Sequence, residues 1–227
     1  MIIYYAIIAD IVGSRRLPDR AGSQEGILKT FAQAGQGLHL PHPAWATVGD
    51  EFQALAASLD DALTLTLRTH LLLPEGLELR FGIGAGDATD LRSPDTDLGP
   101  DRGSQTGPGI QDGSAWWAAR AAIDTLGGPL ARQREARTLY REAPRPGLSQ
   151  QQADMELLVN SMLQLRDHVV GRMKARERRL AAGLALGYTQ SRLARQEGIS
   201  QSAVSQSLRR SGATALLRPL PTIDEVA

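Results

Sequence analysis

The chain has 227 residues, 42% of them hydrophobic, with 25 basic residues, 25 acidic residues and no cysteine. This length and composition are typical of a globular protein with one large or two small domains. The lack of cysteine excludes disulfide frameworks and thiolate metal sites, and the four histidines share no metal-ligand spacing, so zinc is not expected. No run approaches the roughly 18 apolar residues of a membrane span, and the N-terminus lacks signal-peptide features, which predicts a cytoplasmic protein.

The charge is unevenly distributed, although the net charge is zero. Residues 166–210 hold ten Lys or Arg against three acids, whereas residues 1–165 hold fourteen Lys or Arg against twenty acids. A basic C-terminal part behind a mildly acidic N-terminal part predicts two modules with different partners.

The first predicted strand ends at an acid. Residues 2–9 form a near-continuous apolar run, which is typical of a strand buried on both faces, and Asp10 follows directly. The next turn, Gly13-Ser14-Arg15, brings backbone amides and a cation beside that acid. This combination suits a triphosphate, although the same residues are also common on protein surfaces.

A predicted hairpin supplies further acids. Apolar residues alternate on both sides of Gly49-Asp50-Glu51, which indicates a strand, a tight turn and a second strand. If these strands neighbour the first strand, Asp10 and Asp50 face each other, and a cation such as Mg²⁺ between them would relieve their repulsion. The alternative is that both acids are solvated turn residues.

Residues 79–86 are predicted to form a strand with two unlike faces. Gly82, Gly84 and Gly86 share one face with Arg80, while the other face is apolar. A strand face without side chains indicates that a ligand, a helix or another backbone approaches closely. The Gly-x-Gly-x-Gly spacing differs from that of dinucleotide-binding folds, so a Rossmann site is excluded here.

A long loop and a helix follow this strand. Residues 87–113 are rich in Gly, Pro, Asp and Ser, which predicts a loop that is either disordered or a lid ordered by a ligand. Ser114 is predicted to cap a helix over residues 115–126. Trp116 and Arg120 lie four residues apart on one face of this helix, so the indole can stack on the guanidinium or hold it in position.

The middle of the chain is predicted to connect two modules. Residues 141–147 contain two prolines and are interpreted as a linker, after which Ser149 is predicted to cap a long helix. The apolar residues that mark one face of this helix are Met155, Leu158, Met162, Leu165 and Val169. This pattern indicates a connector or a dimer seam.

The most specific motif lies near the C-terminus. Thr189 and Ser200 are predicted to cap two short helices around a turn at Gly198, as in a helix-turn-helix. The exposed face of the second helix would carry residues able to read base edges or contact phosphates: Gln201, Ser202, Ser205, Gln206, Arg209 and Arg210. DNA readers of this size usually need two half-sites, which predicts a homodimer. The alternative is a helical hairpin that binds protein.

Several segments carry a family resemblance. These are residues 6–15, residues 48–53, residues 81–84, and Asp112-Gly113 ahead of Ala118-Ala119-Arg120. Together they resemble the SatD family of bacterial proteins over nearly the whole chain, including residues 190–208. More distantly, the first half is similar to the palm domains of class III nucleotide cyclases and GGDEF proteins.

The distant resemblance implies a ferredoxin-like βαββαβ sheet with metal ions, Mg²⁺ or Mn²⁺, held by Asp10 and Asp50. The chain departs from the cyclases at two positions. Ala46 stands where they carry a purine-selecting lysine, and Trp116 stands where they carry a transition-state asparagine, while Arg120 is retained. The resemblance therefore implies that metal and phosphate binding survive while rapid cyclisation is lost.

We therefore predict an α+β protein, in which a ferredoxin-like, cyclase- or palm-type antiparallel sheet with helices is followed by an all-α helix-turn-helix domain. The predicted divisions are a palm domain at 1–143, a linker and connecting helix at 144–172, a helix-turn-helix domain at 173–217 and a tail at 218–227. The candidate metal ligands are Asp10 and Asp50, and the candidate nucleotide- or phosphate-binding residues are Gly13, Ser14, Arg15, Glu51 and Arg120.

The predicted function is a bacterial DNA-binding transcriptional regulator whose palm domain binds a nucleotide-type ligand and a divalent metal. Its expected partners are DNA, a nucleotide and a second copy of the chain, without a membrane. One alternative is an active nucleotidyl cyclase or phosphoryl transferase that uses two metals at Asp10 and Asp50. Another is a palm domain that binds no ligand and only dimerises the DNA reader.

Overall fold

A computed structural model describes residues 2–47, 49–90, 111–129 and 136–217. Its strands are β1 (Tyr4–Ile11), β2 (His42–Ala46), β3 (Glu51–Ala56), β4 (Leu79–Gly86), β5 (Thr89–Asp90), β6 (Gln111–Asp112) and β7 (Thr138–Glu142). Five of them form one sheet in the order β2-β3-β1-β4-β7, and β5 pairs with β6 separately.

Eight α-helices lie within the described ranges. They are α1 (Arg20–Ala34), α2 (Leu59–Leu72), α3 (Ser114–Leu126), α4 (Ser149–Arg172), α5 (Ala175–Ala185), α6 (Gln190–Glu197), α7 (Gln201–Arg210) and α8 (Ala213–Leu217), with a short 3-10 helix at Ser14–Arg16. The predicted α+β class is confirmed. None of the helices in the described segments is long and apolar enough to cross a membrane.

The sheet is antiparallel except at one edge. The central strand β1 runs antiparallel to both β3 and β4, and β2 forms an antiparallel hairpin with β3. Strand β7, however, runs parallel to β4. The sheet that was predicted to be antiparallel therefore contains one parallel pair, because α3 carries the chain back along the sheet and lets β7 enter in the same direction as β4.

The helices cover the two faces of the sheet unequally. Helices α1 and α2 pack on one face, where Ile7 of β1 joins the core that contains Phe31 and Leu65. Helix α3 packs on the opposite face, where Ile8 contacts the cluster that contains Ile123. Alternate residues of β1 thus enter different cores, as expected for a strand buried on both faces.

The glycine face of β4 is explained by α3. A Cβ atom added at Gly82 would lie 2.7 Å from the backbone nitrogen of Ile123, and one added at Gly86 would lie 2.6 Å from that of Ala115. The side chains are absent because a helix backbone lies directly on the strand backbone. The sequence left open whether a ligand, a helix or another backbone covers this face, and the structure shows a helix.

The C-terminal helices form a second core that includes part of the first module. Leu180, Leu193, Val204 and Leu208 pack together, and Leu71 of α2 belongs to the same cluster. The basic and acidic parts of the chain therefore meet along α2. The domain divisions drawn from the sequence stay a prediction.

A buried polar network attaches α4 to α2 and β7. Arg166 and Asp167 are only 2% and 6% exposed and form an ion pair with each other. The Arg166 guanidinium also donates to Thr138 Oγ1 (2.6 Å) and Thr66 Oγ1 (3.1 Å), and Asp167 accepts the Thr138 amide. His70 Nε2 lies 3.3 Å from Thr138 Oγ1, and burial lowers the pKa of this imidazole to about 4.

Two of the four predicted helix-capping residues cap their helices in the structure. Thr189 and Ser200 cap α6 and α7 as predicted. Ser114 does not cap α3, because Gly113 occupies the cap position and the Ser114 hydroxyl donates to Asp87 instead. Ser149 is likewise the first residue of α4 and follows a cap position without a side-chain hydrogen bond.

Two other sequence-based predictions can be placed. The predicted linker at 141–147 overlaps the end of β7, a strand that the sequence had not indicated. The ends of the predicted loop at 87–113 form the β5–β6 pair, and residues 91–110 lie outside the described residues, as does the tail at 218–227.

Candidate functional site

Three charged residues form a row across the face of the sheet that carries α3. The strand register places Asp10 of β1 directly opposite Glu51 of β3 and opposite Arg80 of β4. Arg80 holds Asp10 with two hydrogen bonds, from Nε to Oδ1 (2.9 Å) and from Nη2 to Oδ2 (2.5 Å). Both oxygens of the Asp10 carboxylate are therefore occupied by one guanidinium.

Helix α3 completes the row with a second arginine. Arg120 donates from Nη1 to Glu51 Oε2 (2.6 Å) and from Nη2 to Oε1 (2.8 Å), and Gln53 Nε2 also donates to Oε1 (3.0 Å). These hydrogen bonds to Glu51 raise the pKa of Arg120 above its ordinary value. We call Glu51, Asp10, Arg80 and Arg120 the charged row. It pairs two carboxylates with two guanidinium groups.

Of the two expected metal ligands, Asp10 belongs to the charged row and Asp50 does not. Glu51, not Asp50, lies opposite Asp10, while Asp50 lies in the turn before β3, half-buried and without a hydrogen bond or ion pair to any residue the structure describes. No cluster of three or more His, Asp or Glu that could hold a metal ion occurs among the described residues.

This donor set does not fit a two-metal site in the observed conformation. A divalent cation such as Mg²⁺ takes about six oxygen ligands, whereas Asp10 and Glu51 each give both oxygens to an arginine. A cation at Asp10 would compete with Arg80 for these oxygens. Metal binding at Asp10 and Asp50 stays a prediction.

The predicted phosphate-binding turn lies beyond the end of β1. Gly13 adopts a left-handed conformation (φ 70°) and leads into the short helix Ser14–Arg16. Arg15 is exposed and Ser14 is half-buried. Gln24 of α1 donates from Nε2 to the Gly49 carbonyl, so the hairpin turn is attached to the helix that follows this segment.

A cavity of about 280 Å³ opens beside the charged row, between β1, β3 and α3. It is lined by Ile8, Gln53, Asp112, Trp116, Trp117 and Arg120. The Trp116 indole is buried against Trp45, with ring centroids 5.9 Å apart, and its Nε1 has no hydrogen-bond acceptor among the described residues. Trp117 is 72% exposed, and its Nε1 donates to Asp112 Oδ1 (3.2 Å).

The cavity combines features that suit a planar polar ligand. The exposed Trp117 indole can stack on such a ligand, and Gln53 and Arg120 can hydrogen-bond to it. The sequence had paired Trp116 with Arg120, but the Arg120 guanidinium contacts Glu51 instead. Trp45 and Gln53 were not predicted as site residues, because cross-strand neighbours depend on the register of distant segments.

A second candidate site is the pair of helices α6 and α7, which we call the helix pair. Thr189 Oγ1 accepts the Arg192 amide (3.2 Å) at the start of α6, and Ser200 Oγ accepts the Ala203 amide (3.2 Å) at the start of α7. Between the helices, Gly198 takes a left-handed conformation (φ 64°) that permits the sharp turn.

The outer face of α7 is polar. Of the residues predicted to contact DNA, Ser205 is half-buried and the others are exposed: Gln201, Ser202, Gln206, Arg209 and Arg210. The opposite face holds Val204 and Leu208 in the second core. The helix therefore presents short polar side chains and two arginines to the surroundings.

Two basic residues of α5 have structural roles. Arg178 Nη2 donates to the carbonyls of His70 (2.9 Å) and Leu73 (3.0 Å), which joins α5 to α2. Arg179 pairs with Glu197 of α6 through two hydrogen bonds (2.8 and 2.7 Å). Both guanidinium groups are therefore engaged within the protein.

The comparisons with known proteins give one match. The model of the SatD family matches residues 4–225, which is nearly the whole chain. No curated protein and no solved structure matches it. The protein therefore belongs to the SatD family.

Proposed function

We propose that this protein is a bacterial DNA-binding transcriptional regulator in which the helix pair acts as a helix-turn-helix. The observation that carries the proposal is the geometry of that pair: two capped helices, a left-handed glycine between them, and a second helix whose inner face is apolar and outer face polar. A helix of this kind can enter the major groove while the first helix crosses the backbone.

The outer face of α7 suits base reading. Gln201 and Gln206 carry amides that can donate to and accept from a base edge, and Ser202 can do so with a single hydroxyl. Arg209 and Arg210 lie at the end of the same helix, where they can contact phosphates. The local excess of basic residues at 166–210 supplies the attraction to DNA.

The N-terminal part is proposed to be a palm-type domain that binds a nucleotide-type ligand. Support comes from the element order β1-α1-β2-β3-α2-β4, which is the βαββαβ order of ferredoxin-like folds. Further support comes from the aromatic and polar cavity beside Arg120. A divalent cation would reach this site only together with the ligand, because phosphate oxygens can replace the carboxylate oxygens that the arginines occupy.

DNA binding is tested by selecting sequences from a random duplex pool and measuring affinity by fluorescence anisotropy. Gln206→Ala and Arg209→Ala should each weaken binding about tenfold, whereas Arg20→Ala, an exposed arginine on α1, should leave it unchanged. Affinity should also fall by roughly 10³ between 50 and 200 mM salt. Absence of DNA binding even at low salt would refute the regulator.

Ligand binding is tested by thermal shift with each nucleoside triphosphate, with and without Mg²⁺ or Mn²⁺. A ligand at a hundred times its dissociation constant should stabilise the protein by about 2.7 kcal/mol. Trp117→Ala should reduce this shift, because it removes an exposed ring at the cavity without touching the core. If none of these nucleotides shifts the melting temperature, the N-terminal part has another role.

The enzyme alternative makes a different prediction. A cyclase that uses two metals would bind them through the Asp10 carboxylate, which holds Arg80 here. Incubation with each triphosphate and Mg²⁺ or Mn²⁺, followed by a pyrophosphate assay, separates the two functions. Release that Asp50→Asn abolishes would replace our proposal with the enzyme.

A further inference from the structure

Helix α4 exposes a stripe of large apolar side chains. Its inner face packs against the sheet core through Val159 and Leu163. A second face carries what we call the α4 stripe: Met155, Leu158, Met162 and Leu165. Leu158 is 68% exposed and Leu165 is 69% exposed. Soluble monomers seldom expose a contiguous stripe of this kind, so it indicates an interaction surface.

The surroundings of the stripe are poor in charge. Between Gln150 and Gln164, the exposed side chains of α4 include a single charged residue, Asp154. A solvated helix face normally carries several charges, whereas depletion of charge with enrichment of Met and Leu marks the centre of a protein interface. The partner of this face is therefore a protein surface of similar apolar character.

The spacing of the stripe points to another helix. Its members are separated by three, four and three residues, which is the a/d repeat by which two helices pack side by side. The spacing is also symmetric about Asn160, because Met155 and Leu165 lie five residues on either side of it and Leu158 and Met162 lie two residues on either side. A helix with this symmetry matches its own copy in the reverse direction.

We propose that α4 pairs antiparallel with α4 of a second copy of the chain. In this arrangement Met155 packs on the partner's Leu165, and Leu158 packs on the partner's Met162. Each apolar contact therefore occurs twice around a two-fold axis, as in an isologous dimer.

Polar complementarity favours the same direction. Asp154 and His168 are both exposed and both precede an apolar position of the repeat, so they flank the stripe on one side. Reversal of the second helix about Asn160 brings Asp154 level with the partner's Arg166. The partner's His168 lies two residues further along, about 3 Å at 1.5 Å per residue, where its imidazole can hydrogen-bond to the Asp154 carboxylate. In a parallel pair the corresponding neighbour of Asp154 would be the partner's Val159, whose own side chain is buried in its core.

The antiparallel dimer has a consequence for DNA, which rests on the proposed function. Helix α4 ends at Arg172, twelve residues after Asn160. At 1.5 Å per residue, the C-terminal ends of the two helices lie about 36 Å apart. Two half-sites of a dimeric helix-turn-helix protein lie about 34–36 Å apart, one turn of the duplex. The helix pair follows each of these ends after α5.

The direction of pairing can be tested by cross-linking, since the chain has no cysteine of its own. Met155→Cys and Leu165→Cys proteins of different tagged size are oxidised separately and as a mixture. An antiparallel dimer gives a disulfide-linked heterodimer in the mixture and no cross-link in either protein alone. Cross-links within each single variant would show a parallel pair and overturn the proposal.

The interface itself is tested by sedimentation of the full chain. The wild type should be a dimer, and Leu158→Glu should be a monomer with an unchanged circular dichroism spectrum and a dimer dissociation constant raised at least a hundredfold. Leu157→Glu is the matched control, because Leu157 is 70% exposed on the same helix but lies off the stripe. A wild type that stays monomeric, or equal effects of both variants, would refute the interface.

The two proposals fail in distinguishable ways. If the helix pair reads DNA but α4 does not dimerise, the wild type sediments as a monomer and binds a single half-site as well as a double one. If α4 dimerises but the helix pair does not read DNA, the cross-link forms and no duplex binds. Leu158→Glu should keep affinity for one half-site and lose the advantage of two.

Discussion

Acidification should destabilise the protein through His70. This side chain is 10% exposed, its ring packs edge-on against Phe81 with centroids 4.7 Å apart, and burial is the main reason that its pKa falls from 6.5 to about 4. Asp167 favours protonation of His70 but lies 4.0 Å from Nε2. The positive charges of three nearby arginines disfavour this protonation. The imidazole is therefore neutral in the folded protein at pH 5.

The sign of the effect follows from the unfolded chain. There the imidazole keeps its ordinary pKa, so below about pH 6.5 the unfolded state binds a proton that the folded state does not. The neutral His70 side chain therefore contributes its full stabilisation above about pH 6.5, and this stabilisation is lost as the pH falls towards 4. The free energy of unfolding should decrease by about 3 kcal/mol in total, and by about 2 kcal/mol between pH 7 and pH 5.

Urea unfolding at pH 7 and pH 5 measures this loss in the wild type and in His70→Gln. The variant is expected to be less stable at pH 7, because it loses the ring packing against Phe81. Its decrease between the two pH values should nevertheless be smaller than that of the wild type by about 2 kcal/mol, since glutamine does not titrate. Equal decreases in both proteins would show that His70 is protonated or solvated in the fold.

Two further predictions concern stability. Gly84→Ala should lower the free energy of unfolding by about 3 kcal/mol, because its Cβ would overlap the backbone of α3. The control is Gly26→Ala in α1, whose Cβ would meet no atom within 4 Å, and it should raise the free energy of unfolding by about 0.5–1 kcal/mol. Arg166→Met should lower the free energy of unfolding by about 3 kcal/mol, because it leaves Asp167 buried without its cation. The control is Arg172→Met, on the exposed end of the same helix, which should change the free energy of unfolding by less than about 0.5 kcal/mol. Both pairs are measured by urea denaturation at pH 7. A variant that is as stable as its control would show that the corresponding contact does not stabilise the fold.

Local signals in the sequence were sufficient for much of the fold. The caps at Thr189 and Ser200 were predicted correctly, because the hydroxyl and the amide that it accepts lie within three residues of each other. Ser114 has the same chemistry, but its hydroxyl is engaged by Asp87, 27 residues earlier in the chain. Competition from a distant partner cannot be read from the flanking residues.

The arrangement of the candidate site was predicted only in part. Asp10 and Glu51 were identified as site residues, and the register brings them together. The bond between Asp10 and Arg80 joins residues 70 positions apart on neighbouring strands, so it depends on the alignment of β1 with β4. Strand β7 was missed because its pairing with β4 is parallel and requires the crossover through α3, which no local pattern reports.

The direct backbone contact between α3 and β4 limits how a bound ligand could transmit a signal. With no side chains between the Gly82–Gly86 segment and the helix, any sliding of α3 would force main-chain atoms into one another. A helix held in this way behaves as part of the sheet. A ligand of the proposed kind would therefore have to act by redirecting side chains, such as that of Arg120, which holds Glu51 with two hydrogen bonds.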